Sequence, residues 1–379
     1  MSSITPRVSI ITDVQELREV AGLLNFQDEI AVDLEMDSLH HFQEKVCLIQ
    51  LSTRSNDWLI DPLALEDLSP LGRVLADPRI RIVMHGADYD IRSLYRDFKI
   101  EVTNLFDTML AARFVGITEF GLAALIKERF GVELNKKYQK ADWSKRPLSP
   151  EMCAYAAADT QYLLALHDQL QREVAVKERL TWLNEECTLV CRARMSAKEG
   201  PLYTACKGTG RLNRRSLGIL EELLQFREQQ ACLLDRPPFK VFSVETLLEL
   251  AEKRPASIAE LGAIVGMSQK QVNRYGESLI AVIAAGCAMP DACLPKLHRK
   301  QRAEPADGSK ERLGRLKQWR ESYCRTAGLE PGVVAPNWLL EDLANRNPGT
   351  EAELADIGGM RDWQKESLGK QMLYELATV

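Results

Sequence analysis

Two acidic residues stand in the middle of an apolar run that has the composition of a buried strand. Residues 31–38 are AVDLEMDS, and Asp33 and Glu35 are two positions apart, so on a strand both side chains project from the same face. Buried charges cost free energy unless a partner takes them up. Such a pair also occurs at the solvated end of many strands, so further acids are needed before a site can be inferred.

A second group of acids follows another strand. The run RIRIVMHGADYDIRSLYRDF (79–98) indicates a strand that ends at His85 and Gly86 and a helix that contains Asp88 and Asp90. Carboxylates just past the C-terminal end of a strand lie at the edge where α/β sheets place their sites. Asp88 suits the N-terminus of the helix, so Asp90 is the better candidate for function.

A third pair, Tyr155 and Asp159, is separated by three alanines. The i,i+4 spacing places the phenol and the carboxylate on one helix face, and the alanines let that helix lie close to a sheet. With Asp33, Glu35 and Asp90, Asp159 completes four carboxylates without a cluster of His or Cys residues. An oxygen-only set suits Mg²⁺ or Mn²⁺. Two such ions can activate a water and stabilise the departing oxygen in phosphoryl transfer, so we predict two divalent metal ions.

The elements that must position these residues alternate in the N-terminal half. Strand patterns fall at 8–12, 30–34, 46–52, 57–61 and 79–85, and helical patterns at 14–25, 65–77, 87–98 and 120–131. This order predicts an α/β fold with a mixed sheet flanked by helices. From about residue 150 onward, strand patterns nearly vanish and the chain is almost wholly helical.

The helical half contains an internal repeat. A shift of 93 positions, without a gap, places ELGAIVGM (260–267) on ELADIGGM (353–360) and also aligns Arg227 with Arg320. We therefore predict two copies of one small helical module, at 210–290 and 311–379. Between them lies a polar, basic linker at 293–310.

Composition indicates the class of protein. The net charge of −5 does not by itself indicate a nucleic-acid binder, although the total hides local patches. The nine cysteines are scattered and form no CxxC pair, which is typical of a reducing compartment. The N-terminus has no leader pattern and no run has membrane-spanning length. We expect a cytoplasmic protein with no membrane partner.

One local segment is basic. Residues 135–147, NKKYQKADWSKRP, carry five basic residues and one acid, with Tyr138 and Trp143 interleaved. Lys and Arg can hold phosphates while aromatic rings stack on bases, although Trp143 could equally belong to the core. The candidate nucleic-acid contacts are Gln50, His85, Lys137, Trp143 and Arg146. For Gln50 and His85 a purely structural role is the alternative.

The order of these motifs resembles a known family. AVDLEMDS, then HGADYDI followed by LFDT (105–108), then DWSKRPLSPEMCAYAAAD closely resembles the DEDD exonucleases of the tyrosine-bearing subgroup. The two C-terminal copies resemble HRDC modules. An exonuclease domain followed by two such modules resembles the layout of the bacterial ribonuclease D family.

The resemblance implies a fold, a reaction and residue roles. The fold would be a ribonuclease H-like exonuclease domain at 1–205 and two all-α HRDC-like domains at 210–290 and 311–379. The reaction would be 3′→5′ removal of nucleotides from RNA, such as the 3′ trailers of tRNA precursors, with release of nucleoside 5′-monophosphates by a monomer. Asp33 would contact both ions, Glu35 and Asp159 would hold the ion that bears the nucleophilic water, and Tyr155 would orient that water.

Two alternatives share the same sequence features. A deoxyribonuclease or proofreading enzyme could use the same acids, because selection for the sugar depends on contacts to the 2′-hydroxyl. A catalytically inactive RNA-binding scaffold could be built on the helical modules. The complete set of acids with Tyr155 argues against the scaffold.

Overall fold

The computed structural model describes residues 9–196, 200–295 and 306–377. The chain divides into two compact units. The first unit takes its residues from 1–36, 46–195 and 302–379, and the second takes its residues from 37–45 and 196–301.

The first unit is built on a mixed sheet of six strands among the described residues. The strands are β1 (Ser9–Ile11), β2 (Glu29–Met36), β3 (Val46–Ser52), β4 (Asp57–Ile60), β5 (Arg81–Met84) and β6 (Leu105–Asp107). Their order across the sheet is β1-β4-β3-β2-β5-β6. The strand β3 runs antiparallel to β2 and β4, whereas β2, β5 and β6 are parallel and β1 is parallel to β4. The predicted mixed sheet is confirmed, with β6 as a strand that the patterns did not indicate.

Helices cover the sheet. They are α1 (Val14–Leu24), α2 (Ser69–Leu75), α3 (Asp88–Phe98), α4 (Thr108–Val115), α5 (Leu122–Phe130), α6 (Pro150–Gln161), α7 (Leu163–Val176) and α8 (Leu180–Cys191). Ser149 begins α6, because its hydroxyl accepts a hydrogen bond of 3.2 Å from the Met152 N–H and Pro150 suits the first helical position. The long helical run after residue 150 is interrupted at Tyr162, which separates α6 from α7.

The helical half consists of two sets of helices. The first set is α9 (Arg214–Leu233), α10 (Pro238–Val241), α11 (Val244–Lys253), α12 (Ile258–Gly262) and α13 (Gln269–Ala288). The second set is α14 (Ser309–Ala327), α15 (Pro331–Val334), α16 (Asn337–Arg346), α17 (Glu351–Ala355) and α18 (Asp362–Ala377). The predicted all-α character of this half is confirmed.

The offset of 93 positions also holds for individual hydrogen bonds. The side chain of Gln271 donates to the Val241 carbonyl at 2.8 Å and accepts from the Ser268 N–H at 2.9 Å. Gln364 makes the same two bonds, at 2.9 Å each, with Val334 and Arg361. Because each glutamine connects two helices in the same way, the two modules are structural copies and not merely similar in composition.

The second helical set packs against the exonuclease helices within the first unit. The rings of Trp182 on α8 and Trp363 on α18 stack with centroids 4.3 Å apart. The Glu185 carboxylate accepts hydrogen bonds of 2.7 and 2.8 Å from the N–H groups of Asp362 and Trp363, which begin α18. The carboxylate therefore satisfies donors that the helix itself leaves free.

In the second unit the segment 37–45 joins the first helical set. The Asp235 carboxylate accepts a hydrogen bond of 3.1 Å from the Phe42 N–H and lies 2.7 Å from Nδ1 of His41. Phe42 packs against the apolar core of that set. Within the part of the chain that the structure describes, no helix is both long and apolar enough to cross a membrane.

Candidate active site

The first two acids project from the central strand β2. Asp33 lies opposite Gln50, and Glu35 lies opposite Leu48, in the antiparallel pairing with β3. Both acids are half-buried, whereas Val32 and Leu34 beside them are buried in the core. The alternation of the strand thus places both carboxylates on one face, as predicted.

The turn that leads to Asp90 is fixed from the neighbouring strand. Asp107 ends β6, and only 2% of its surface is exposed. Its carboxylate accepts hydrogen bonds of 2.8–3.2 Å from four backbone N–H groups, those of Gly86, Ala87, Met109 and Leu110. One carboxylate therefore caps α4 and also holds the turn that precedes α3. Asp90, in the first turn of α3, follows directly from this turn.

Gly86 makes the same turn possible. Its φ of +71° is a conformation that side chains rarely adopt, and a Cβ there would lie 2.7 Å from Cε of Met109. A larger residue would therefore be strained in this turn, which precedes the segment that carries Asp90.

The third element is α6, which packs across β2, β3 and β4. Ala156 and Ala157 are buried at this contact, so the helix approaches the sheet closely. Tyr155 and Asp159 are half-buried on the same helix. The Tyr155 ring lies between Tyr138 and Trp143, with both centroid distances at 5.9 Å.

The pKa shifts show that the four acids share one environment. Burial raises the pKa of Asp33 to about 7, against the lowering effect of a backbone hydrogen bond from Leu34. Burial, and then repulsion by Asp33, Asp159 and Asp90, raises the pKa of Glu35 to about 10. Burial and Asp33 raise the pKa of Asp159 to about 8. Burial, followed by Asp33 and Asp107, raises the pKa of Asp90 well above its ordinary value.

This arrangement fits divalent metal ions. Every charge that acts on Glu35 belongs to another carboxylate, so the group repels itself without a cation. Four carboxylates provide hard oxygen donors of the kind that Mg²⁺ and Mn²⁺ prefer. The repulsion among the predicted acids, which come from β2, α3 and α6, indicates that the fold brings them near one another.

Tyr155 keeps its proton in this environment. Burial, and then Asp159, Glu35 and Asp33, raise the pKa of the phenol above its ordinary value of 10.0. A phenol that stays protonated at neutral pH can donate a hydrogen bond. A protonated phenol at this place suits the orientation of a water.

A cleft of about 520 Å³ opens beside these residues. Asp33, Glu35, Tyr155 and Asp159 line it, together with His85. Other parts of the wall are apolar or carry amide, ammonium or carboxylate groups, from Met109, Glu119, Leu122, Leu134, Asn135, Lys136 and Gln139. Asp90 does not line the cleft. The size and the mixed lining of the cleft suit one nucleotide.

Comparisons with known proteins identify the family. Residues 8–175 match the family model of a 3′-5′ exonuclease, and residues 216–283 and 309–376 match the HRDC domain. Ribonuclease D of Pseudomonas paraeruginosa is 30% identical over 376 residues, which is 98% of this chain and 98% of that protein. The chain belongs to the ribonuclease D family.

Solved structures agree with this membership. The crystal structure of Escherichia coli RNase D covers 98% of this chain and 99% of its own, with 25% identity and a TM-score of 0.73. The catalytic core of RRP6 from Trypanosoma brucei covers 76% of this chain and 81% of its own, with 30% identity and a TM-score of 0.67.

This member of the ribonuclease D family is a hydrolytic 3′→5′ exoribonuclease with an RNA substrate. Its fold is that of the ribonuclease H-like exonucleases, followed by two HRDC domains. Membership of the DEDD exonucleases implies a dependence on divalent metal ions.

The candidate RNA contacts of this ribonuclease D family protein lie in different surroundings. His85 lines the cleft, and Lys137 lines an adjoining pocket together with Tyr155 and Asp159. Gln50 is fully buried opposite Asp33, and within the described part of the chain neither polar atom of its side chain has a hydrogen-bond partner. Gln50 is thus placed beside an acid of the site, inside the fold, and not at the surface.

Trp143 lies inside the fold, whereas Arg146 is exposed and its guanidinium is bound by other parts of the protein. Trp143 is 1% exposed and packs in the core between α6 and the sheet, which favours the core alternative over stacking on a base. The Arg146 guanidinium pairs with the buried Asp61 and donates to the carbonyls of Cys47 and Trp143, at 2.7 Å each. Arg146 thereby fastens the basic segment to β3.

Asp107 supports the site although its motif, LFDT, does not show this role. Two of its four partners are backbone N–H groups about 20 positions earlier in the chain, at Gly86 and Ala87. An Asp directly before a helical pattern is a signal for an N-cap, and this signal could have identified Asp107 as the cap of α4.

Proposed function

We propose that this protein removes 3′ extensions from tRNA precursors and other small structured RNAs, one nucleoside 5′-monophosphate at a time. The observation that carries the proposal is the convergence of Asp33, Glu35, Asp90 and Asp159 beside a cleft of nucleotide size. The RNase D of Escherichia coli, a relative over nearly the whole chain, is described as an exoribonuclease involved in structured RNA processing.

The four acids would hold two ions, Mg²⁺ or Mn²⁺. Asp33 is assigned to both ions, Glu35 and Asp159 to the ion on the side of the attacking water, and Asp90 to the other. The ions supply activation of the water and stabilisation of the departing oxygen when they are bound. The acids contribute a rigid set of oxygen ligands, because β2 and two helices fix their backbones.

The remaining groups would position the water and the RNA. Tyr155 is assigned to orient the attacking water, because its phenol is protonated and lies among the acids. The cleft would receive the terminal nucleotide, with the apolar side chains of Met109 and Leu122 against the base. Lys136, on the cleft wall, and Lys137, beside it, would pair with phosphates.

The limits of the three domains are also part of the proposal. The domain limits 1–205, 210–290 and 311–379 are supported by family-model matches at 8–175, 216–283 and 309–376. We further propose that the protein acts in the cytoplasm as a monomer.

The test is digestion of a tRNA precursor with a 3′ extension, with Mg²⁺ or Mn²⁺ and with or without a chelator. Product sizing should show stepwise shortening, and chromatography should show nucleoside 5′-monophosphates. The same sequence made as single-stranded DNA distinguishes the deoxyribonuclease alternative. Internal cuts, or equal release from RNA and DNA, would contradict the proposal.

Matched variants connect this reaction to the acids. Asp90→Asn should abolish nucleotide release, whereas Asp88→Asn should leave it unchanged. Asp88 is on the same turn of α3, but it is exposed and paired with Arg92 at 2.8 Å. Full release by Asp90→Asn would show that the reaction takes place elsewhere.

A further inference from the structure

The imidazole ring of His85 is held on one side by a hydrogen bond, while its other side is available to a ligand. The residue follows β5 and lines the cleft beside Asp33 and Glu35. Its Nδ1 lies 2.9 Å from the hydroxyl oxygen of Thr108, and that hydroxyl lies 3.0 Å from the carbonyl of Met84.

These two contacts determine which ring nitrogen carries the proton. A carbonyl oxygen can only accept, so the Thr108 hydroxyl must donate its single proton to Met84. The hydroxyl oxygen can then only accept from His85, which requires a proton on Nδ1. The reverse arrangement would leave two oxygen atoms facing each other at 3.0 Å without a proton between them.

The opposite nitrogen, Nε2, is therefore a hydrogen-bond acceptor. It is buried and has no hydrogen-bond partner among the residues that the structure describes. Burial lowers the pKa of His85, against the raising effect of Asp107, so the ring stays neutral at physiological pH. A buried acceptor without a donor costs free energy, and the cost ends when a ligand supplies the donor.

The chemistry of RNA limits what that donor can be. A phosphodiester offers only acceptors, so Nε2 cannot recognise it. Donors on the bases differ from one base to the next, whereas an enzyme that removes successive nucleotides must accept all four. The sugar hydroxyls are present at every RNA terminus, and only the 2′-hydroxyl distinguishes RNA from DNA.

We propose that Nε2 of His85 accepts a hydrogen bond from the 2′-hydroxyl of the 3′-terminal nucleotide and so selects ribose at that position. This inference rests on the proposed function, because it assumes that the cleft receives the terminal nucleotide. It adds a selective contact that Asp33, Glu35 and Asp159 cannot provide if their oxygens hold the metal ions.

The test compares three oligonucleotides that differ only in their last sugar, which is ribose, 2′-deoxyribose or 3′-deoxyribose. In the wild type, kcat/KM for the ribose end should exceed that for the 2′-deoxy end by roughly three- to tenfold, the value of one net hydrogen bond. His85→Phe should reduce this ratio to about one by lowering kcat/KM on ribose alone. His85→Gln, whose side-chain oxygen can accept, should retain part of the preference.

Two results would overturn the inference. One is a ribose to 2′-deoxyribose ratio that is unchanged in active His85→Phe enzyme. The other is an effect of His85→Phe that appears with the 3′-deoxy end in place of the 2′-deoxy end. If the wild type releases no nucleotide from any of the three, the proposed function fails as well, which is a different result from an unchanged ratio.

The tautomer can be measured without turnover. Long-range ¹⁵N–¹H correlation spectra of the ring should show a protonated Nδ1 and an unprotonated Nε2. Thr108→Val, which removes the partner of Nδ1 but keeps the ring, should weaken this preference and lower the ribose ratio. A wild-type spectrum with the proton on Nε2 would overturn the inference whatever the kinetics. Thermal unfolding is the control for folding, and equal unfolding temperatures for His85→Gln and the wild type would show that the variant is folded.

Discussion

The carboxylate of Asp107, at the end of β6, accepts a hydrogen bond of 2.9 Å from the backbone N–H of Gly86, two residues after β5. The same carboxylate caps α4 through the N–H groups of Met109 and Leu110. One buried charge thus connects two parallel strands and two helix starts, one of which carries Asp90. The position of Asp90, one of the proposed metal ligands, thus depends on a residue that is not itself assigned to the metal.

Asp107→Ala should therefore reduce both stability and activity. The free energy of unfolding should fall by about 3 kcal/mol, because four N–H groups lose a charged acceptor. Nucleotide release should fall on the order of a hundredfold through displacement of Asp90. Urea unfolding and product release, measured under conditions where the variant is folded, check the two effects.

The control for Asp107 is Asp13→Ala. Asp13 caps α1 through the Gln15 and Glu16 N–H groups, at 2.7 and 3.2 Å, far along the chain from the acids. It should cost about 1 kcal/mol without a change in nucleotide release. Normal release by folded Asp107→Ala would show that Asp107 only stabilises the fold.

Removal of one charge from the site should stabilise the metal-free protein. Asp33→Asn removes the carboxylate whose repulsion raises the pKa values of Glu35, Asp159 and Asp90. In chelator, this variant should gain on the order of 1 kcal/mol at neutral pH. In Mn²⁺, the wild type should gain stability and Asp33→Asn should gain little, as thermal unfolding will show. Equal gains in Mn²⁺ would place metal binding outside these acids.

The stability of the metal-free protein should depend on pH in a defined direction. Asp33 and Asp159 have pKa values of about 7 and 8 in the folded state, above the ordinary value of 3.8. Between pH 4 and 8 the folded state therefore binds more protons than the unfolded state, so these groups lower stability as pH rises.

Metal affinity should change in the opposite direction, because metal ions compete with those protons. Calorimetric titration with Mn²⁺ at pH 6, 7 and 8 should show tighter binding at each step, with proton release that is largest at the lowest pH. Affinity that is constant across this range would contradict the raised pKa values of Asp33 and Asp159.

The second helical module should be needed for the stability of the exonuclease fold. Trp363 is 3% exposed and stacks on Trp182, so Trp363→Ala should cost about 3–5 kcal/mol. Lys270 occupies the equivalent position in the first module, and it is exposed. Lys270→Ala should change stability by no more than about 0.5 kcal/mol. Equal unfolding temperatures for the two variants would show that α18 does not support α8.

The acids could be predicted from sequence because each lies in a regular element with a readable period. The two-residue period of a strand predicts that Asp33 and Glu35 on β2 share one face. The i,i+4 spacing on a helix predicts the same for Tyr155 and Asp159 on α6. The repeat offset also carried over to the structure, down to the hydrogen bonds of Gln271 and Gln364.

Other features were not accessible from the sequence. The strand β6 has only three residues, Leu105–Asp107, too few to show a period. The alternation of aromatic and basic residues in 135–147 fits both a core and a surface, and only the packing decides that Trp143 is buried. The contact of Trp182 with Trp363 joins residues 181 positions apart, which no local pattern reveals.

The most direct measurement is anomalous diffraction from crystals soaked in Mn²⁺. The proposed function requires two anomalous peaks among the carboxylates of Asp33, Glu35, Asp90 and Asp159, and their loss in Asp33→Asn crystals. Peaks elsewhere in the molecule, with the four carboxylates apart and no ion between them, would contradict it.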